Sequence, residues 1–127
     1  MYGIYIADDG AMNYAKAIVK GIKLMETRTR DVFKSIPEFQ KLAVIRTRKG
    51  HKPEIVGHVR MQRGYHCPAE LFHLFDSSHL VGIGSKYDTD ERGKWLYTFT
   101  WCEELDEPIE LPANRINHGR SYTEFTL

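Results

Sequence analysis

The sequence is poor in cysteine and has no long apolar run. It contains only 2 cysteines in 127 residues, Cys67 and Cys102, which is too few for the disulfide framework of a small secreted domain. No apolar stretch approaches the roughly 20 residues that span a bilayer, and the N-terminus lacks the basic and apolar regions of a signal peptide. We therefore expect a soluble, cytoplasmic protein that does not contact a membrane.

The sequence also lacks the common motifs of catalytic and metal sites. It has no Gly-x-Ser-x-Gly elbow and no Cys-x-x-Cys pair. Its scattered histidines and cysteines do not follow the spacing of a common zinc signature. The sequence thus predicts no bound metal and no cofactor, although a nuclease of this size could require a divalent metal ion.

The composition is that of a globular protein, with 42% apolar residues and a net charge of +1. No repeat or linker divides the chain, so we expect a single domain over residues 1–127. The charges are unevenly distributed, because residues 16–63 hold 13 Lys/Arg and 4 Asp/Glu, whereas residues 64–127 hold 5 and 11. A basic segment indicates an anionic partner such as nucleic acid or a nucleotide. Alternatively, the two halves pack together and neutralise each other.

Patterns of period two and period 3.6 alternate along the chain and predict an α+β fold with a curved or barrel-like sheet. The predicted strands are residues 2–7, 23–30, 41–48, 54–63, 95–102, 107–111 and 122–125, and the predicted helices are residues 11–20 and 68–75. Gly57 is a candidate β-bulge. The segment 77–92 reads as a long irregular loop, and long loops in compact domains are often functional.

The predicted strand 23–30 concentrates charge in Lys23, Glu26, Arg28 and Arg30. Counting by two places Glu26, Arg28 and Arg30 on one face, and a bend at the strand start would bring Lys23 into the same cleft. Lys23 and Arg28 are candidates to bind a phosphate or carbonyl oxygen. Glu26 is a candidate to accept a hydrogen bond from the amino group of a nucleobase, or to act as a general base. The alternative is a structural Glu26–Arg28 pair, with Arg30 at the surface.

Aromatic side chains are the candidates for stacking on a nucleobase. Tyr65 and Tyr87 lie in irregular segments, where a ring could reach a cleft, and Trp95 begins an aromatic strand. Further along that strand we expect Phe99 and Trp101 in the core of the barrel.

A predicted hairpin has a strongly basic tip, formed by Arg46, Arg48, Lys49, His51 and Lys52. Such a tip could follow a phosphate backbone. Alternatively, its charges only keep an exposed turn soluble.

The segment from Tyr14 to Arg28 carries an ordered set of small, apolar and charged residues. The set consists of Tyr14, Ala15, Ile18, Gly21, Lys23, Glu26 and Arg28. It resembles the signature of the ASCH domain family, in which a helix ends at the glycine and the next strand opens the central cleft. Segments 55–59, 95–99 and 104–109 resemble later parts of the family, so the resemblance covers most of the chain.

The resemblance implies a PUA-like curved β-barrel of about five to six strands with two or three flanking helices. It also implies a cleft, lined by the Lys23–Arg30 strand, that accepts nucleic acid, a nucleotide or a modified nucleoside. One branch of the family hydrolyses N4-acetylcytidine with a lysine and a threonine on this strand. This chain keeps the lysine as Lys23 but has Glu26 at the threonine position, and Thr27 is predicted on the opposite face.

Two main hypotheses follow. In the first, the protein is a binding module for RNA, single-stranded nucleic acid or a nucleotide, and its ligand contacts are Lys23, Glu26, Arg28, Tyr65, Tyr87 and Trp95. In the second, it is a small hydrolase of the same fold, either a single-strand ribonuclease or an amidohydrolase of a modified nucleoside such as N4-acetylcytidine, with Lys23 and Glu26 as catalytic residues. A third interpretation is a protein-interaction domain that uses its acidic half.

Overall fold

The computed structural model describes residues 1–112 and 119–126. The described residues contain seven strands: β1 (Tyr2–Ala7), β2 (Met25–Arg28), β3 (Leu42–Thr47), β4 (Glu54–Met61), β5 (Tyr65–Cys67), β6 (Lys94–Glu110) and β7 (Tyr122–Glu124). The helices are α1 (Tyr14–Val19), a 3₁₀ helix (Ala69–Phe75) and α2 (Asp76–His79). Among the described residues, no helix has the length and apolar character needed to cross a bilayer.

The strands form one curled, half-barrel sheet. Their order is β2-β6-β4-β3-β1-β7, and β5 pairs with β6. β1 and β3 are parallel, whereas the other described pairs are antiparallel. The sheet curls until β2 approaches β1, where the guanidinium of Arg28 donates to the carbonyl oxygen of Tyr5 at 2.8 Å. This architecture confirms the predicted α+β, PUA-like fold, with seven strands instead of five to six.

Helix α1 packs its apolar face against one side of the sheet. Its buried residues are Tyr14, Ala15, Ile18 and Val19. The helix begins later than predicted because Asn13 is its N-cap, and the Asn13 side chain accepts from the amide of Lys16 at 3.0 Å. Gly21 follows the helix at φ +74°, a left-handed conformation that suits glycine. The chain therefore turns sharply just before β2.

Both faces of β1 and β3 are buried. Ile4, Ile6 and Val44 belong to the main core beneath α1, whereas Tyr5 and Ile45 belong to a second apolar cluster. Successive residues of a strand point to opposite faces, so an uninterrupted apolar run fits a strand that is covered on both sides.

The long strand β6 joins two segments that the sequence predicts as separate. Tyr97 lies in the core, but the prediction that Trp101 lies there is wrong, because its side chain is 39% exposed. The pairing with β4 explains the difference: Phe99 pairs with the inward Met61, and Trp101 pairs with the outward Arg60. The extra residue between them forms a bulge, which turns Trp101 to the outer face.

Candidate functional site

A cavity of about 360 Å³ lies in the gap between β1 and β2, where the sheet does not close. Its other walls come from α1, from Val81 and Tyr87 in the segment before β6, and from residues 119–121. Its charged and aromatic lining residues are Tyr5, Tyr14, Lys23, Glu26, Arg28, Tyr87, Lys94 and Arg120. The open seam of the half-barrel is thus the candidate site.

Lys23 lines the cavity and is only 1% exposed. After the turn at Gly21, the amide of Lys23 donates to the Ala17 carbonyl oxygen at 3.0 Å, which directs the chain back toward the sheet. Its ammonium donates to the backbone carbonyl of His79 and lies 3.8 Å from Oε1 of Glu26. The bend before β2 therefore brings Lys23 into the same site as the strand.

Glu26 is held by its neighbours on β2 and by Lys23. Its Oε1 accepts from the Thr27 amide at 3.1 Å, and its Oε2 accepts from the Arg28 guanidinium at 2.9 Å. Burial by itself would raise the pKa of Glu26, but Arg28, Lys23 and these hydrogen bonds together lower it. Glu26 is therefore ionised at neutral pH.

Arg28 links the two sides of the seam. The same guanidinium nitrogen reaches both Glu26 on β2 and the carbonyl oxygen of Tyr5 on β1. The guanidinium carbon also lies 4.9 Å from the centre of the Phe33 ring. The structural Glu26–Arg28 pair is thus present, and it borders the cavity.

Lys94 is a site residue that the sequence analysis missed. It is 3% exposed, and its ammonium donates to the Tyr87 carbonyl oxygen at 3.0 Å. Burial lowers the pKa of Lys94 and also that of Lys23, while the charge of Glu26 raises both in part. The predicted aromatic strand began one residue later, so no pattern drew attention to this lysine.

Of the predicted ligand contacts, Lys23, Glu26, Arg28 and Tyr87 line the cavity. The other two predicted contacts are not among the lining residues: Tyr65 is 41% exposed on β5, and the Trp95 ring packs edge-on against His66 at 5.6 Å.

Thr27 also lines the cavity, next to Glu26, although counting by two placed the two residues on opposite faces. The cavity meets β2 at the edge that faces the open seam, so consecutive residues of the strand contact it.

The described residues include one cluster with metal-ligand chemistry, His73, Asp76 and His79. The ring nitrogens that would coordinate a metal ion are already engaged in hydrogen bonds. In His79, Nε2 lies 2.9 Å from the Phe72 carbonyl oxygen, and Nδ1 accepts from the Val81 amide at 2.9 Å. The cluster is thus better described as a hydrogen-bonded support for the wall of the cavity. Inside the cavity, the Glu26 carboxylate is already matched to Lys23 and Arg28, so it is poorly suited to a divalent ion.

Comparisons with known proteins identify the fold. The crystal structure of ASCH from Zymomonas mobilis superimposes with a TM-score of 0.71 at 17% identity, covering 98% of this chain and 87% of that one. A single-substitution variant of that protein gives a TM-score of 0.70 at 16% identity, with the same coverage. This chain has the ASCH fold. Neither a protein-family model nor a curated protein matches the sequence.

Within this ASCH fold, the cavity is strongly basic. Four cationic side chains, Lys23, Arg28, Lys94 and Arg120, line it with one carboxylate, Glu26, among the residues that the structure describes. The Lys23 ammonium donates to the His79 carbonyl oxygen and also lies 3.8 Å from Glu26. The Lys94 ammonium has three N–H donors and donates one of them to the Tyr87 carbonyl oxygen. The site therefore offers a surplus of positive charge to an anion.

Proposed function

We propose that the cavity binds the phosphate-bearing unit of a nucleotide or of a single-stranded nucleic acid, with RNA as the expected partner. The observation that carries this proposal is the surplus of positive charge in the cavity at the seam. A volume of about 360 Å³ is at the small end of ligand sites, which span roughly 300–1,000 Å³. It suits one nucleotide and is too small for a duplex.

The lining residues suggest a division of roles. Lys23, Lys94 and Arg28 would bind phosphate oxygens, because charge-assisted hydrogen bonds are the strong ones. Tyr14 and Tyr87, whose ring centres are 6.2 Å apart, form an aromatic wall against which a base could pack. Glu26 would hold the cations in position and accept from a base amino group.

The second candidate function is hydrolysis by the same site. It is favoured by the buried Lys23, whose lowered pKa lets the amine exchange a proton more easily than an ordinary lysine. In a ribonuclease, the substrate 2′-oxygen would bond to phosphorus and pass its proton to Glu26. The P–O5′ bond would break, and the leaving oxygen would take a proton from Lys23.

The state of Glu26 favours binding over this chemistry. A general base works best when its pKa lies near the working pH, whereas Arg28, Lys23 and backbone hydrogen bonds hold the pKa of Glu26 below its usual value. Glu26 is therefore a weak base, better suited to fixing the cations than to removing a proton. The amidohydrolase version has the same weakness, because Glu26 would have to activate water.

The experiment that separates the two functions uses labelled single-stranded RNA and N4-acetylcytidine, with and without Mg²⁺. Binding predicts a salt-dependent mobility shift of the RNA with no cleavage. Cleavage of RNA, or release of acetate from N4-acetylcytidine, would establish the hydrolase if Lys23→Ala abolished it without loss of fold. If the protein neither shifted nor altered either probe, RNA binding and hydrolysis would both be contradicted, and a free nucleotide would be the ligand left to test.

A further inference from the structure

A second pocket lies beside the first, at the tip of the β3–β4 hairpin. It measures about 400 Å³ and is lined by the end of β1, by the turn residues 47–51 and by Pro53. Ala7 lines both pockets. Tyr5 and Ile6 contact only the first, and Asp8 contacts only the second. The two pockets are therefore neighbours along β1.

The hairpin tip keeps only part of the basic character seen in the sequence. Arg46 binds Asp8 through two hydrogen bonds, of 2.9 Å and 2.7 Å, and Lys52 lies 3.5 Å from Glu110. These pairs neutralise the acidic residue of the second pocket as well as two of the cations.

Arg48 and Lys49 remain as the uncompensated charges of this pocket. Both side chains are exposed, and neither forms an ion pair within residues 1–112 and 119–126. Gly50 follows them at φ +80°, and its α-carbon faces open space. The tip thus presents two free cations on a tight turn, at the rim of a concave surface.

The two pockets share a wall. Ala7 lines both of them, and it pairs with Thr47, which lines the second. A single-stranded ligand with one nucleotide in the first pocket would therefore continue past Ala7 toward Arg48 and Lys49.

We propose that the hairpin pocket binds a backbone phosphate next to the nucleotide in the cavity, so that the ligand is a single-stranded oligonucleotide. This inference rests on the proposed function, because it needs the first nucleotide to occupy the seam between β1 and β2. It assigns a role to Arg48 and Lys49 that is independent of any chemistry in the cavity.

The test is a length series with a double variant. Binding of UMP and of uridine oligonucleotides of two and four units is measured for the wild type, for Arg48→Ala/Lys49→Ala and for Lys16→Ala/Lys34→Ala. The last variant removes the same charge from exposed lysines that line neither pocket. We expect wild-type affinity to rise by about tenfold or more from UMP to the tetranucleotide.

The Arg48→Ala/Lys49→Ala variant should keep its UMP affinity and lose most of that gain. Its salt slope should be smaller by about 0.7 for each phosphate that the hairpin no longer binds. The control variant should keep the gain. A wild type that binds UMP but gains nothing with length would overturn this inference alone, as would an equal loss in the control. A wild type that binds neither UMP nor the oligonucleotides would contradict the proposed function too.

Discussion

Nζ of Lys23 lies 3.8 Å from Oε1 of Glu26, and both side chains are buried at the seam of the half-barrel. A buried charge is costly unless a partner compensates it. Lys23 precedes β2 and Glu26 lies within it, so their pairing ties the bend after α1 to the strand. The same arrangement that fixes the fold here also holds cations in the lining of a cavity.

Removal of the Glu26 charge should destabilise the protein. In Glu26→Gln, Lys23 and Arg28 remain buried without their counter-charge, and we expect a loss of about 3 kcal/mol in the free energy of unfolding, measured by denaturant titration. The matched control is Glu104→Gln, which breaks an exposed 3.1 Å pair with Lys20 and should cost about 1 kcal/mol or less. Equal losses would show that the buried pair has no special weight.

Glu26 should also shape the acid side of the stability profile. Its pKa is lower in the folded protein than its ordinary value of 4.5, so the unfolded chain binds more protons between these two values. The contribution of Glu26 to stability is therefore complete above pH 4.5, and it is lost as the pH falls through the pKa that Glu26 has in the folded protein. The slope of stability against pH in this window should be smaller in Glu26→Gln than in the wild type. A profile unchanged by the substitution would contradict this assignment.

His73 should contribute stability of the opposite pH dependence. Its ring nitrogens lie 2.7 Å from Asp76 and 2.7 Å from Asp88. The hydrogen bond to Asp76 raises the pKa of His73 most. Burial lowers the pKa in part, the hydrogen bond to Asp88 raises it further, and the net result is a pKa above 6.5. This contribution is complete below pH 6.5 and is lost as the pH rises through the raised pKa.

The difference in melting temperature between the wild type and His73→Gln should therefore become smaller as the pH rises from about 6 to about 9. The exposed His51→Gln serves as the control. A constant difference between wild type and His73→Gln over this range would show that the histidine carries no charge in the cluster.

Gly57 should tolerate no side chain. A Cβ at this position would lie 2.1 Å from the Glu103 carbonyl oxygen and 2.6 Å from the Val19 side chain. Because one of these atoms is backbone, Gly57→Ala should cost about 1–3 kcal/mol through overpacking. Gly82→Ala is the control, since no atom lies within 4 Å of its added Cβ. Thermal melting of both variants tests the difference, and two neutral substitutions would contradict the packing of α1 against β4.

As the pH rises, ligand binding should begin to weaken at a lower pH than it would if the binding lysines had the ordinary pKa. Burial lowers the pKa of Lys23 and of Lys94 from 10.5, so both lose charge before an exposed lysine does. Affinity for UMP should fall as the pH rises through these lowered values. In Lys94→Arg the guanidinium stays charged, so part of the decline should disappear. An affinity that stayed constant up to pH 10.5 would exclude these lysines as the binding charges.

The sequence was sufficient to predict the elements with strong periodicity. The apolar segments 2–7 and 41–48 are strands in the core. The ordered residues from Tyr14 to Arg28 led to the ASCH fold, because the helix end at Gly21 and the charged strand after it are local features. Lys23, Glu26 and Arg28 could be grouped for the same reason.

Features that depend on the partner strand could not be predicted. The bulge that turns Trp101 outward is defined by its pairing with Arg60 and Met61 on β4. Lys94 becomes a site residue only because Tyr87, in the preceding loop, accepts from its ammonium. The second pocket likewise depends on β1 and the hairpin tip lying side by side in the parallel β1–β3 pair.

The most direct test of the basic cavity compares the four RNA nucleoside monophosphates with their nucleosides by calorimetry at low salt. The proteins are the wild type, Lys94→Met and the control Lys34→Met, which alters an exposed lysine outside the cavity. We expect the wild type to bind at least one nucleotide about tenfold or more tightly than its nucleoside. Lys94→Met should lose most of this preference while remaining folded, as its circular dichroism spectrum would show, and Lys34→Met should retain the preference. Equal affinity for nucleotides and nucleosides in the wild type, or full preference in Lys94→Met, would contradict the account.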